Sequence, residues 1–272
     1  MKDPIATPPK KKRATLSPYR SAYGLIRKKI KWDLNPASWR SRKSLKSLHN
    51  RHSGQKALIL CNGPSLNQVD FDAVIEAQKN GLVVIGLNKI NLIFERTEMR
   101  PDYIVAMNQK VIEQNASFFN QTNIPLLIHY QGRNKIHHQN SVTFLYEIGE
   151  PRFARDVSIA IGAGFTVTFS AMQVAYHFGL RDVALVGCDH SFASKGPANT
   201  TVESGEVDVN HFDPKYFSEG VLWDLPDLIG SEYQYSIASE VYTAHSGRIV
   251  NCTNGGKLEL FPRVQLADWL AG

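Results

Sequence analysis

ALILCNGPSLNQVDF, Ala57 to Phe71, is the stretch that decides how this chain folds. Ala57–Cys61 carries no polar side chain. An apolar run this short and without alternation is the pattern of a strand buried on both faces, as in a parallel sheet. Asn62-Gly63-Pro64-Ser65 then stops it, because proline has no N–H to give a ladder and glycine allows a tight turn. From Asp70 to Lys79 the spacing becomes helical, with Asp70 or Asn67 as the N-cap. Strand, glycine turn and helix together form one unit of an α/β sheet, and such a turn can bring backbone amides up to a ligand.

The same alternation continues outward. Leu82–Asn88 (LVVIGLN), Asp102–Asn108 (DYIVAMN), 124–130 (IPLLIHY) and 142–148 (VTFLYEI) read as strands, and Val111–Phe119 reads as a helix. GAGFTVTFSAMQVAYHFGL is a glycine turn followed by a buried helix from about Thr166 to Phe178, ended by Gly179. DVALVGCDHS is the next strand. Residues 191–230 look like a lid or binding loop, since irregular stretches of that length in compact domains usually serve a site. Helix over 231–245, strand over RIVNCT and a short helix over 265–270 complete the chain. The expected fold class is α/β, a Rossmann-like, doubly wound and mostly parallel sheet with helices on both faces.

Composition divides the chain in two. Residues 1–56 hold 16 Lys/Arg against 2 Asp/Glu, a balance of +14, and the remainder holds 15 against 23, a balance of −8; together these give the net +6. The expected domains are a disordered basic tail over 1–17, a basic amphipathic or helical arm over 18–53, and a catalytic domain over 54–272. The interleaved YRSAYGLIRKKIKW suits either a helix lying on an anionic membrane surface, with residues 10–46 as the contact, or a helix packed on the domain. No nucleic-acid partner is expected, because the body is acidic. No run reaches about 18 apolar residues, and no secretory signal is expected. Cys61, Cys188 and Cys252 are odd in number and lack metal spacing, so reduced thiols and a cytoplasmic protein, peripheral at the inner membrane face at most, are the expectation. The sequons at Asn115, Asn199 and Asn251 then carry no meaning.

In doubly wound sheets ligands bind beyond the carboxyl ends of the strands. This sequence places Asn62-Gly63-Pro64-Ser65, Asn88-Lys89, Asn108 and Asp189-His190 there, a polar rim around one pocket. Backbone amides at Gly63 and the Ser65 hydroxyl are candidates to cup a phosphate. It is not a Walker loop and not GxGxxG. Gly162 and Gly164 precede a helix whose first turn holds Thr166 and Thr168, a second helix start open either to an anion or to tight packing. Asp189 is a candidate for a ribose hydroxyl, a base amide or a metal, or a simple cap. His211, with Asp213 and Tyr216 in NHFDPKYF, is the candidate general base. His49, His52, His137 and His138 read as solvated surface. No zinc spacing and no nucleophile elbow are present.

CNGPSLNQVDF, GLNKINLIF, PDYIVAMN, the GAGFTVTFSAMQVAYHFGLRDVALVGCDHSF block, NHFDPKYF and NCTNGGKLELFPRV occur in an order that resembles the MptE-like family, named for an archaeal 6-hydroxymethylpterin diphosphokinase. The resemblance spans roughly Leu45 to Val264. That family is similar to bacterial sialyltransferases that use CMP-sialic acid and to motility-accessory flagellin glycosyltransferases. It implies that Asn62, Gly63, Pro64, Ser65, Asn88 and Asn108 surround a nucleotide and its phosphate. It also implies Thr166 near phosphate or sugar and a loop histidine as base, for which His211 is the candidate; the residues themselves add Gly164 to the phosphate group and Asp189 to the catalytic group. Many members carry Asp where this chain has Asn108, a departure that favours metal-independent chemistry. The resulting expectation is a nucleotide-sugar-dependent glycosyltransferase, CMP-linked in the first instance. It would act on a glycan, lipid-linked glycan or protein acceptor, with no obligatory cofactor and no metal. The alternatives are an ATP-dependent diphosphokinase using Mg2+ and a non-catalytic nucleotide- or glycan-binding module.

Overall fold

The computed structural model describes residues 18–137, 139–149, 152–193, 196–217 and 220–272; the expected tail over 1–17 and His138 lie outside them. Helices α1 (Pro18–Asp33) and α2 (Pro36–Leu48) come first. Then follow β1 (Lys56–Leu60), α3 (Phe71–Lys79), β2 (Val83–Leu87), β3 (Tyr103–Ala106), α4 (Gln109–Gln114), α5 (Ala116–Gln121), β4 (Leu126–His129) and β5 (Val142–Leu145). Two short strands, β6 (Glu147–Ile148) and β7 (Ile161–Gly162), lead into α6 (Val167–His177) and β8 (Asp182–Val186). The hairpin strands β9 (Thr201–Glu203) and β10 (Leu222–Asp224), then α7 (Leu228–Ala244), β11 (Arg248–Asn251) and α8 (Leu266–Ala271), complete the order.

The main sheet has seven strands in the order β11-β8-β1-β2-β3-β4-β5, and every pair is parallel. This is the Rossmann-like doubly wound sheet that the alternating pattern predicts. Its strands are continuous apolar runs because both faces are covered. Leu58 and Leu60 of β1 enter one core with Val74 of α3. Ala57, Ile59 and Cys61 enter the other, with Phe169, Val174 and Phe178. Helix α6 is buried from Thr168 to His177, the environment its nearly all-apolar sequence requires. Thr166 caps it, and Gly179, at φ +90, ends it. Asp70, not Asn67, caps α3 through the Ala73 amide.

Several expectations change. The arm does not extend to residue 53. Ser41 Oγ of α2 accepts the Phe144 amide of β5 at 2.9 Å, Ser44 bonds Thr143, and Leu45 is buried. Helix α2 therefore covers the edge of the sheet, and α1 reaches the same core through Trp32 at its C-terminal end. The predicted helix over 111–119 is broken at Asn115, whose side chain donates to Asn91 instead of continuing the helix. The stretch 191–230 contains the β9–β10 hairpin, and α7 starts at Leu228, capped by Asp227. Single 3-10 turns (Pro64–Gln68, Ile90–Glu95 and Tyr130–Asn134) follow β1, β2 and β4. His52 is not free surface; it bridges Gln55 and Tyr103.

Candidate active site

From β1 the chain winds outward through β2 to β5, then returns to β8 on the other side of β1. The β1/β8 boundary is thus the topological switch point, where the loops diverge and leave a crevice. A cleft of about 460 Å³ opens there. Asn62, Gly63, Asn88, Asn108, Gly164, Thr166, Asp189, His211 and Tyr216 all line it, whereas Pro64, Ser65 and Asp213 do not. Asp213 faces Arg96 at 3.4 Å.

The turn after β1 is already filled. Asp189 Oδ2 accepts the Ser65 hydroxyl at 2.7 Å and the Ser65 amide at 3.3 Å. Gly63 donates to the Gly187 carbonyl at 2.8 Å. A Cβ at Gly63 would overlap Asp189 Oδ2 and lie 2.7 Å from the Gly187 oxygen. The donors that the sequence offers to a phosphate therefore hold a carboxylate of the protein. A phosphate placed against the same donors would face Asp189 at ~4 Å, a repulsion of about 4 kcal/mol at an effective dielectric of 20. A charge-assisted hydrogen bond returns about 1.5–3 kcal/mol, so the carboxylate wins. The geometry makes Asp189 a clamp on the turn.

Two of the rim asparagines behave differently. The side-chain oxygens of Asn62 and Asn88 are buried and have no hydrogen-bond partner among the described residues. Asn88 holds a left-handed backbone, φ +49, which asparagine tolerates better than most residues. Unmatched buried acceptors cost about 1–3 kcal/mol each, so a ligand offering N–H or O–H groups is the natural partner. Asn108, by contrast, caps α4 through the Lys110 and Val111 amides, a role that an aspartate would fill equally well.

The lid supplies the ionisable pair. His211 Nδ1 lies 2.7 Å from Asp208 Oδ2, and the ring stacks flat on Tyr216 at 4.0 Å and 3°. Asp208 also accepts the Asn210 and Phe217 amides. Burial pushes its carboxyl up, but the hydrogen bond and charge of His211 and these amides outweigh that, holding it below the usual carboxylate range. With Nδ1 committed, Nε2 is the nitrogen left for a ligand in the cleft that His211 lines. Phe212 donates its amide to the Asn62 carbonyl, and Asn67 bonds the Phe212 carbonyl, pinning the lid over the turn. Beneath it Lys89 is buried, donating to the Tyr216 carbonyl at 2.6 Å. Burial lowers its pKa to about 8 against the opposing pull of Asp208.

The second glycine turn is held by two buried glutamines. Gln173 accepts the Gly162 and Ala154 amides. Gln234 accepts the Phe165 amide and donates to the Ala163 carbonyl. Thr166 caps α6 through the Thr168 amide, so the N-terminus of α6 faces the cleft. Sequence reading missed Gln173 and Gln234, which carry no local signal, and named Lys89 only as part of the strand-end rim. Asp208 was not paired with His211 either, although the i,i+3 spacing in DVNH was the available clue.

Other ionisable groups also line the cleft. The hydrogen bond with Cys188, and then burial, push the Cys61 thiol well up. Asp224 pairs with Lys110 at 2.6 Å, and burial raises Glu147. No group of three or more His, Cys, Asp or Glu capable of holding a metal ion occurs among the described residues.

The class defined by this fold is a Rossmann-like α/β protein with a cleft at the switch point of its sheet. The chain belongs to the MptE-like family: the family model "6-hydroxymethylpterin diphosphokinase MptE-like" matches residues 34–195, more than half of the chain. No curated protein matches it. Among solved structures it is similar to the MAf glycosyltransferase from Magnetospirillum magneticum AMB-1, at 15% identity and a TM-score of 0.49. That similarity covers 85% of this chain and 39% of the other. No helix among the described residues is long and apolar enough to cross a membrane.

Proposed function

We propose that the chain is a glycosyltransferase that moves a sugar from a nucleotide-activated donor, CMP-linked in the first instance, to a hydroxyl of a glycan, lipid-linked glycan or protein. The observation that carries this reading is the Asp208–His211 pair in a cleft whose Asn62 and Asn88 oxygens are unmatched. Asp208 fixes the proton on Nδ1 and leaves the Nε2 lone pair as base. Nε2 takes the acceptor hydroxyl proton as that oxygen bonds the anomeric carbon. The bond from that carbon to the phosphate oxygen breaks, its electron pair goes to the phosphate, and CMP leaves. A general base of this kind contributes about 10²–10⁴-fold.

Asn62 and Asn88 are acceptors suited to ribose hydroxyls or a base amino group. The departing phosphate falls to the α6 N-terminus and Thr166, where amides and the helix dipole favour negative charge. A CMP-linked donor carries one phosphate, so it suits a cleft in which Asp189 and Asp224 are already engaged. The family description favours a second reading, diphosphate transfer from ATP to a hydroxymethylpterin. The engaged carboxylates weigh against it.

The test is a product assay with CMP-, UDP- and GDP-sugars, and separately ATP, magnesium and a hydroxymethylpterin, read by mass spectrometry. CMP release that disappears in His211→Ala is the expected result. AMP with a diphosphorylated pterin would replace this reading with the second. Tight nucleotide binding without turnover would leave a binding module.

A further inference from the structure

We infer that α1 is an interfacial helix that docks this protein on an anionic lipid bilayer, with the cleft on the same side of the molecule. This goes beyond the reaction and does not depend on it. Tyr19, Tyr23, Ile26 and Ile30 recur at helical spacing along α1, so they lie on one face. All four are exposed, at 87, 69, 57 and 52%. An apolar stripe left in water over the length of a helix marks a contact surface rather than scattered exposure.

Charge complementarity identifies the occupant. Arg27, Lys28 and Lys31 are exposed along the same helix. Asp33, the acidic residue of α1, is already held by Lys29 and Arg42. Its charge is neutralised by one cation of α1 and one of α2, so the exposed surface of α1 that remains is apolar and cationic. The +14 balance over residues 1–56 adds to it. This is the combination that interfacial helices use, apolar side chains entering the acyl boundary while lysines and arginines meet anionic headgroups. A second copy fits less well, since pairing two such faces brings like charges together. Leu34 and Trp39 are also exposed where α1 meets α2, and an indole is a group favoured at the headgroup level.

The root of α1 fixes which side would face the lipid. Trp32 is buried, stacked on Tyr146 at 5.9 Å and 10° and edge-on to Tyr130 at 5.5 Å. Lys29 lies over the Tyr146 ring at 5.6 Å. Tyr130 directly follows β4 and Tyr146 directly follows β5. Both therefore mark the carboxyl end of the sheet, the end at which the cleft opens. A protein held by α1 presents that end toward the membrane, where an acceptor carried on a lipid would be found.

Vesicle co-sedimentation of the full chain tests this. Phosphatidylcholine vesicles are compared with vesicles that also contain phosphatidylglycerol, at low and high salt. The expected result is binding to the anionic vesicles, weakened by salt. The Ile26→Ser/Ile30→Ser and Lys28→Glu/Lys31→Glu variants should each bind about tenfold less, with melting temperatures unchanged because these side chains are exposed. Absence of sedimentation, equal binding to neutral vesicles, or variants that bind like the parent chain would overturn the inference. So would a concentration-dependent dimer in sedimentation velocity that Ile26→Ser/Ile30→Ser abolishes, since the stripe would then belong to a second copy.

Discussion

Asp189 and Asp208 both stand beside the cleft, and both hold a side chain that the sequence marks as functional, yet they do opposite things. Asp189 accepts the Ser65 hydroxyl and amide and closes the turn after β1. Asp208 accepts His211 Nδ1 and leaves the other ring nitrogen toward the cleft. The difference lies in the donors around each carboxylate. Asp189 meets groups that would otherwise serve a ligand, so it occupies a binding place. Asp208 meets two backbone amides and a ring that can pass the benefit of its charge to a substrate. Proximity to a cleft does not give a carboxylate its role; the hydrogens it is offered do.

The largest effect should come from the Asp208 side. His211→Ala should lower kcat about 10²–10⁴-fold with the nucleotide still bound. Asp208→Asn should lose activity of the same kind, because an amide can donate to Nδ1 and reverse the tautomer. An unchanged turnover number in either variant breaks the comparison at its catalytic half. The Asp189 side should instead respond in stability. Gly63→Ala, which drives a Cβ into Asp189, should cost roughly 3 kcal/mol in urea unfolding. Ser65→Ala is smaller and more discriminating. It should cost about 2 kcal/mol of stability, the value of a hydrogen bond to a charged group, and leave nucleotide affinity where it was. Weaker nucleotide binding at unchanged stability would instead place the phosphate on Ser65, as the sequence alone implied.

Much of the fold was legible because covering both faces of a sheet forces an unmistakable pattern. All five residues of β2 are buried, and LVVIGLN shows it. The helix starts at Asp70 and Thr166 and the stop at Gly179 follow from local hydrogen bonding and backbone freedom. Helix α2 was misread because its core-facing groups include Ser38 and Ser41 within a Lys- and Arg-rich segment; serine matching a strand edge leaves no hydrophobic trace. The site was legible as a set of positions, since strand ends converge at a switch point. It was not legible as a set of bonds. Ser65 and Asp189 are separated by 124 residues, and nothing near either announces the other. The expected phosphate cup has a competitor for that reason: the turn has the donors, but a distant strand end delivers an acceptor to Ser65.

Acid should separate the Asp208 pair from the rest of the molecule by a smaller margin. Burial, and then the charge of Arg133, lower the His129 pKa to about 4. Its unfolded form takes up a proton below about 6.5, so the stability due to its neutral burial is full above that value. This contribution falls as the pH drops from there toward 4, by about 1–2 kcal/mol at pH 5. His177, also lowered by burial, acts with the same sign. Asp208 is held below the ordinary carboxylate value, so its contribution is full above about 4 and is lost only as the pH falls through its lower folded value. Melting temperature against pH should therefore show a plateau above 7, a first decline beginning near 6.5, and a second below 4. His129→Gln should flatten the first decline and Asp208→Asn only the second. If Asp208→Asn flattens the upper decline, the lid pair rather than His129 governs stability near neutrality, and the division between a catalytic and a structural aspartate gives way to one in which Asp208 does both.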